Sequence, residues 1–233
     1  MYFYMKKKID QYEGVLGSVE KKFLRKYKLS INELLSDLER DGLLYHKFTK
    51  DQINRIFKLI RTSNIPLQLY NNFNKIITFD KEQTKKNVES LKAMGLRVDT
   101  IAEQYLAVLC HSYQVLSERL KLHLVTIIDF SKLDLENAHK KSLGMCIGKL
   151  KVKYPNNSFL QYLNTKIRNA VTHYSYFFEK GAIKLCDGYF GPTEEMTLKE
   201  FVEEARYLNV LTEGFFIIYM DKYYPEIPLI LDR

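Results

Sequence analysis

Between Val98 and Leu120, apolar side chains recur at steps of three and four: Val98, Ala102, Tyr105, Leu109, Tyr113, Leu116 and Leu120. An α-helix, at ~3.6 residues per turn, puts such positions on one face, so this stretch predicts a long helix with one side in a core. Gly and Pro, which interrupt helices, number only 10 and 5 in a chain of 233 residues. That scarcity argues against a loop-rich β-sandwich or a Gly-built nucleotide cradle. The chain is 46% hydrophobic and 27% charged, a balance that can bury a substantial core and is unlike that of a disordered segment.

The first part, roughly residues 1–96, reads as several short helices. Ser30-Ile31-Asn32-Glu33 and Thr49-Lys50-Asp51-Gln52 both match a capping box, in which two side chains satisfy orphan N–H groups reciprocally. After the second box, Ile53, Ile56, Phe57 and Ile60 share a helical face, and Pro66 opens another short helix. Arg55, Lys58 and Arg61 on the third small helix would suit a helix-turn-helix, but no base-reading pattern accompanies them. A helical extension packed on the main domain is the preferred reading. Ala93-Met94-Gly95 ends a helix, with Gly95 just beyond it.

Past the long helix, a second spans about 137–153 and stops before Pro155. Its buried stripe is Leu143, Ile147 and Leu150, and Gly144 and Gly148 permit a close helix contact. Asn157 or Ser158 caps a third helix, about 158–178, with Leu160, Leu163, Ile167, Ala170, Tyr174 and Phe177 inward and Gly181 at its end. A β-like segment, Ala182 to Cys186, meets the turn signal Asp187-Gly188, giving a small hairpin with Tyr189 and Phe190. Thr197-Leu198-Lys199-Glu200 is a third capping box and opens a last helix that buries Phe201, Ala205, Leu208, Leu211 and Phe215. The expected fold is all-α: a helical bundle with one small β-hairpin. It divides into an N-terminal helical extension (1–96) and a helical domain (97–233).

A net charge of +8 and a pI near 9.1 suit an anionic partner, since Lys and Arg release phosphate counterions on binding. A Lys-rich solvated surface gives the same numbers. Cys110, Cys146 and Cys186 are far apart and odd in number, which favours reduced thiols and a cytoplasmic setting over a disulfide framework. No apolar run reaches the ~18 residues of a membrane span. Met1 to Lys8 lacks the apolar core of a signal peptide.

The residues with chemistry stand together at Arg168-Asn169-Ala170-Val171-Thr172-His173. RNA cleavage without a metal turns the 2′-hydroxyl on its own phosphate. It needs a proton-transfer group near neutral pH, the domain of His, and a fixed cation at the phosphorane oxygens, which the Arg fork supplies. On this reading His173 handles the proton or positions the 2′-hydroxyl, and Arg168 stabilises the developing charge. Asn169, one turn before His173, orients the imidazole or binds substrate. A five-residue step turns about 140° on a regular helix, so Arg168 and His173 do not share a face. Tyr174 and Tyr176 are candidate platforms for stacking unpaired bases, with a place at the core rim as the alternative.

This motif resembles the mark of the HEPN superfamily (higher eukaryote and prokaryote nucleotide-binding): Arg, a polar residue, three more residues, then His. The resemblance covers roughly residues 97–233: a long helix, a helix ending in Lys-Tyr-Pro, the motif helix, a small hairpin and a capped last helix. It implies an endoribonuclease that pairs two motifs across a homodimer cleft and acts on RNA, with single-stranded RNA as the expected substrate. It also implies a toxin or defence role, with an antitoxin or regulatory protein as partner. HEPN toxins paired with nucleotidyltransferase antitoxins often carry a Tyr two positions after the His; here Ser175 stands there, which argues against control by tyrosine nucleotidylation. The competing class is a non-catalytic helical module that binds nucleic acid or protein.

No cofactor or metal is expected. His111 and His123 are twelve residues apart, unlike a zinc pair, and His46 and His139 have no nearby ligand-type partners. Glu103 and Glu118 lack the Glu-x-x-His of a di-metal bundle. GxxxxGK[ST], GxGxxG and Gly-x-Ser-x-Gly are missing.

Overall fold

The structure, a computed structural model, describes residues 8–45, 48–49, 51–53, 55, 89, 93, 95, 98–163, 165–180, 182–186 and 192–227. It is mostly helical: α1 (Lys8–Val15), α2 (Ser18–Arg40), α3 (Val98–Ile127), α4 (Leu143–Lys153), α5 (Ser158–Tyr162), α6 (Thr165–Thr172) and α7 (Leu198–Tyr223). Before α7 comes a three-stranded antiparallel sheet of β1 (Tyr176–Glu179), β2 (Ala182–Cys186) and β3 (Pro192–Thr197), in that order. The described residues gather into two compact units. The first draws on Met1–Phe48, Ser117–Thr165 and Arg206–Arg233, the second on Thr49–Leu116 and Lys166–Ala205.

In the first unit, α2 is one long helix rather than several short ones. Leu24, Tyr27, Ile31, Leu34, Leu35 and Leu38 form an unbroken buried stripe, which carries the helix straight through Ser30. The capping box expected there does not form. Ser30 sits mid-helix and its Oγ donates to the Tyr27 carbonyl at 2.9 Å. The helix stops at Gly42, whose φ of +66° is the left-handed conformation that favours Gly, and Leu43 N–H returns to the Leu38 carbonyl at 2.8 Å. Asp221 of α7 caps α1 from afar: its two carboxylate oxygens accept from the Lys8 and Ile9 N–H groups, each at 2.8 Å. Gly214 admits Leu24, whose Cδ1 lies 2.5 Å from where a Cβ would stand.

Helix α4 starts at Leu143, later than the expected 137. Asn137 holds a left-handed backbone (φ 52°), and Ser142 accepts from Met145 N–H to begin the helix. Leu143, Ile147 and Leu150 are buried as expected. Gly148 is not a close-contact site, because a Cβ there meets nothing within 4 Å.

The single helix expected over 158–178 is instead two helices and a strand. Leu163 turns extended (ψ 97°) after α5, α6 restarts at Thr165, and the run Tyr174-Ser175-Tyr176-Phe177-Phe178 favours strand over helix. β1 pairs with β2 through Tyr176–Leu185, Phe177–Lys184 and Phe178–Ile183, and β2 pairs onward with β3. The sheet therefore has three strands where a hairpin was expected. Of the proposed inward face, Leu160, Leu163, Ile167 and Ala170 are buried; Tyr174 and Phe177 are exposed, at 80% and 44%.

The capping boxes at Thr49 and Thr197 both form. Thr197 N–H donates to Glu200 Oε2 at 2.7 Å and Glu200 N–H to Thr197 Oγ1 at 3.2 Å. Thr49 and Gln52 exchange the same pair at 2.8 and 3.3 Å. Leu109, Tyr113, Leu116 and Leu120 of α3, and Phe201, Ala205, Leu208, Leu211 and Phe215 of α7, are buried as their periodicity predicts. Pro66, the residues following Ile53 through Ile60 apart from Arg55, and the Asp187-Gly188 turn lie outside the described residues.

Candidate functional site

The Arg–His motif lies in the second unit, on α6 and the turn that ends it. Ile167, Ala170 and Val171 cover the buried side of α6, and Asn169 is exposed. Arg168, between them, is itself buried, with 7% of its surface exposed. Its Nη1 donates to Asn169 Oδ1 at 3.3 Å. His173 follows the last helical residue and is exposed; its N–H donates to the Asn169 carbonyl at 3.0 Å. The two motif side chains thus differ in environment, as their 140° separation leads one to expect, and Asn169 touches both residues.

The end of α6 has a specific geometry. Ser175 N–H donates to the Ala170 carbonyl at 2.8 Å and Tyr174 N–H to the Val171 carbonyl at 3.3 Å. These bonds are the paired closure that usually carries Gly at the left-handed position. Here that position is Tyr174, at φ 53°. A bulky side chain in this region costs roughly 1–2 kcal/mol, and such strain clusters at functional sites. The result is an exposed phenol ring on the residue that follows the exposed His173.

Tyr176 is placed differently. It is half-buried on β1, with its hydroxyl in hydrogen-bonding reach of the Cys110 thiol of α3. Burial, then that thiol, raise its ionisation well above the usual phenol range. Burial likewise pushes Cys110 up to about 12, despite the opposing bond to Tyr176, so this thiol is inert at neutral pH. Tyr176 is therefore anchored where Tyr174 is displayed.

Two further features belong to the first unit. One is a buried polar seam between α3 and α7: Arg119 Nη2 lies 2.7 Å from Glu213 Oε1, and His123 stands one turn further along. His123 is 2% exposed, its ring edge-on to Phe216 at 4.7 Å, and neither ring nitrogen has a hydrogen-bond partner. Burial, then the neighbouring Arg119 charge, lower its pKa to about 3. Burial also raises the Glu213 carboxyl, against the pull of Arg119. The other feature is a basic and aromatic run on α2, Lys21-Lys22-Phe23-Leu24-Arg25-Lys26-Tyr27-Lys28. Its alternation of cations and rings is visible in the sequence.

Among the described residues, no group of three or more His, Cys, Asp and Glu side chains is placed to hold a metal ion, and His111 and His139 are exposed. No described helix is long and apolar enough to cross a membrane. Compared with known proteins, the chain matches no family model, no curated protein and no solved structure.

Proposed function

We propose that this chain is a metal-independent endoribonuclease of HEPN type, with His173 and Arg168 as its reacting pair. The observation that carries this reading is the exposed His173 at the end of α6, one turn from an exposed Asn169 that engages Arg168. In the reaction, the 2′-hydroxyl oxygen bonds to phosphorus as the 5′-oxygen leaves, giving a 2′,3′-cyclic phosphate and a 5′-hydroxyl end. His173 takes or returns the proton, and Arg168 faces the phosphorane charge. The strained, exposed Tyr174 supplies a stacking surface for an unpaired base.

His173 by itself provides one proton-transfer group where the reaction uses two. A symmetric homodimer that brings two α6 ends together supplies the second. Cys110, Cys146 and Cys186 are not joined in disulfides, which supports a reducing compartment such as the cytoplasm. A toxin or defence role with an antitoxin or regulatory partner rests on the family resemblance alone.

The burial of Arg168 favours a second reading, in which it braces Asn169 and the module binds without cutting. Incubation with single-stranded RNA in EDTA separates the two. The enzyme yields cyclic phosphate ends, and His173→Ala abolishes them. A binding module leaves the RNA whole and keeps its affinity in that variant.

A further inference from the structure

We propose that the first unit carries a separate single-stranded nucleic-acid-binding surface, formed by the basic and aromatic run of α2 with Tyr162 and Tyr207. Four rings from three helices meet there. Phe23 of α2 stacks on Tyr207 of α7, centroids 4.0 Å apart and 12° from parallel. Tyr162 of α5 meets Phe23 edge-on at 5.2 Å and Tyr27 at 5.1 Å, and Tyr27 lies 5.1 Å from Phe23. Tyr27 is buried, but Phe23, Tyr162 and Tyr207 are only half-covered, so the cluster opens to solvent.

The cations around these rings divide into two sets. Arg25 and Lys28 are held by Glu13, at 3.0 and 2.9 Å, and Arg206 by Glu20 at 3.4 Å. Lys21, Lys22 and Lys26 have no acidic partner among the described residues. Lys22 and Lys26, one turn apart, are exposed, and the Lys26 ammonium lies 5.1 Å from the Tyr27 ring centroid. Glu13 and Glu20 are already engaged by other cations, and the exposed Glu33, seven residues past Lys26, forms no ion pair with it. The charge of these lysines is thus open to an anion from outside the chain.

An anionic partner with flat unsaturated rings satisfies both halves of the surface. Phosphates meet the lysines, and bases stack on the half-covered rings. A single strand offers its base faces, whereas a duplex hides them in its own stack. The aliphatic side chains exposed beside these lysines on α2 are Val19 and Leu29 alone, and the flat rings of Phe23, Tyr162 and Tyr207 favour bases over a bilayer. The surface lies wholly within the first unit and does not depend on the Arg168–His173 reading.

Fluorescence anisotropy with a labelled 2′-O-methyl oligouridine tests this, because a strand without a 2′-hydroxyl cannot be cut during the measurement. The intact protein is expected to bind it, and Lys22→Gln/Lys26→Gln to bind about tenfold more weakly, with a salt-dependence slope smaller by about 1.4. Tyr162→Leu, with its fold checked by circular dichroism, is expected to weaken binding several-fold while keeping the slope. Cleavage of unmodified RNA, measured separately on the lysine and Tyr162 variants, reads the Arg168–His173 site, so loss of cleavage and loss of this surface are separable outcomes. The proposal is overturned if the intact protein does not bind, if the double lysine variant binds like the parent, or if duplex RNA or phosphatidylserine vesicles bind equally well.

Discussion

The carboxamide oxygen of Asn169 accepts Arg168 Nη1 at 3.3 Å, while the Asn169 backbone carbonyl accepts the His173 N–H at 3.0 Å. One residue therefore joins a buried guanidinium to the backbone of the exposed His173. Asn169→Ala removes the first link and leaves the second. Its side chain is exposed, so the melting temperature should hold while cleavage falls about tenfold or more. Thermal melts and initial rates on the same preparation check both.

Arg168 and His173 differ as mutational targets because they differ in burial. Arg168→Ala removes a packed side chain and its hydrogen bonds, and should cost about 2–3 kcal/mol of stability whatever its role in catalysis. His173→Ala alters an exposed position and should leave urea unfolding within about 0.5 kcal/mol of the parent. Cleavage abolished in His173→Ala at unchanged stability is the diagnostic result; cleavage retained there rejects the nuclease reading.

Tyr174 occupies a left-handed position that glycine takes without strain. Tyr174→Gly should raise stability by about 1 kcal/mol, measured by chemical denaturation. If the ring stacks on substrate, the same change should raise KM for RNA. A variant that gains stability with unchanged KM assigns the ring no role in binding.

His123 predicts an acid limb of stability. Its folded pKa is lowered to about 3 from an ordinary 6.5, so below pH 6.5 the unfolded chain takes up a proton that the folded chain does not. Stability should fall as pH drops from 6.5 toward 3, by at most about 1.4 kcal/mol per pH unit. Glu13, Asp41 and Asp129, held low chiefly by hydrogen bonds from Lys28, Lys153 and Ser131, add their own losses only in the carboxylate range beneath. His123→Leu should flatten the curve between pH 6.5 and 5 and leave pH 7 stability equal or higher, because two buried ring nitrogens without hydrogen-bond partners disappear. An unchanged slope in that interval would contradict the burial.

Asp221 caps α1 across the whole length of the chain. Asp221→Ala should cost about 1–2 kcal/mol. Amide hydrogen exchange should quicken at Lys8 and Ile9 while α4 stays protected.

What depends on neighbours a few positions away is legible in the residues alone. The three- and four-residue steps of Leu109 to Leu120 and of Phe201 to Phe215 specify buried helix faces, because helical geometry is local. The boxes at Thr49 and Thr197 follow from a hydroxyl and a carboxylate or carboxamide three residues apart. The Arg168-to-His173 spacing was likewise legible, including the turn between the two side chains. Local pattern had no hold on the break at Leu163, the strand at Tyr176 or the unbroken passage of α2 through Ser30. There β-propensity, sheet pairing and core burial compete with helix signals of similar size. The burial of Arg168, the Asp221 cap and the meeting of Phe23, Tyr162 and Tyr207 arise from residues distant in the chain. Their energies exist only once the helices have packed.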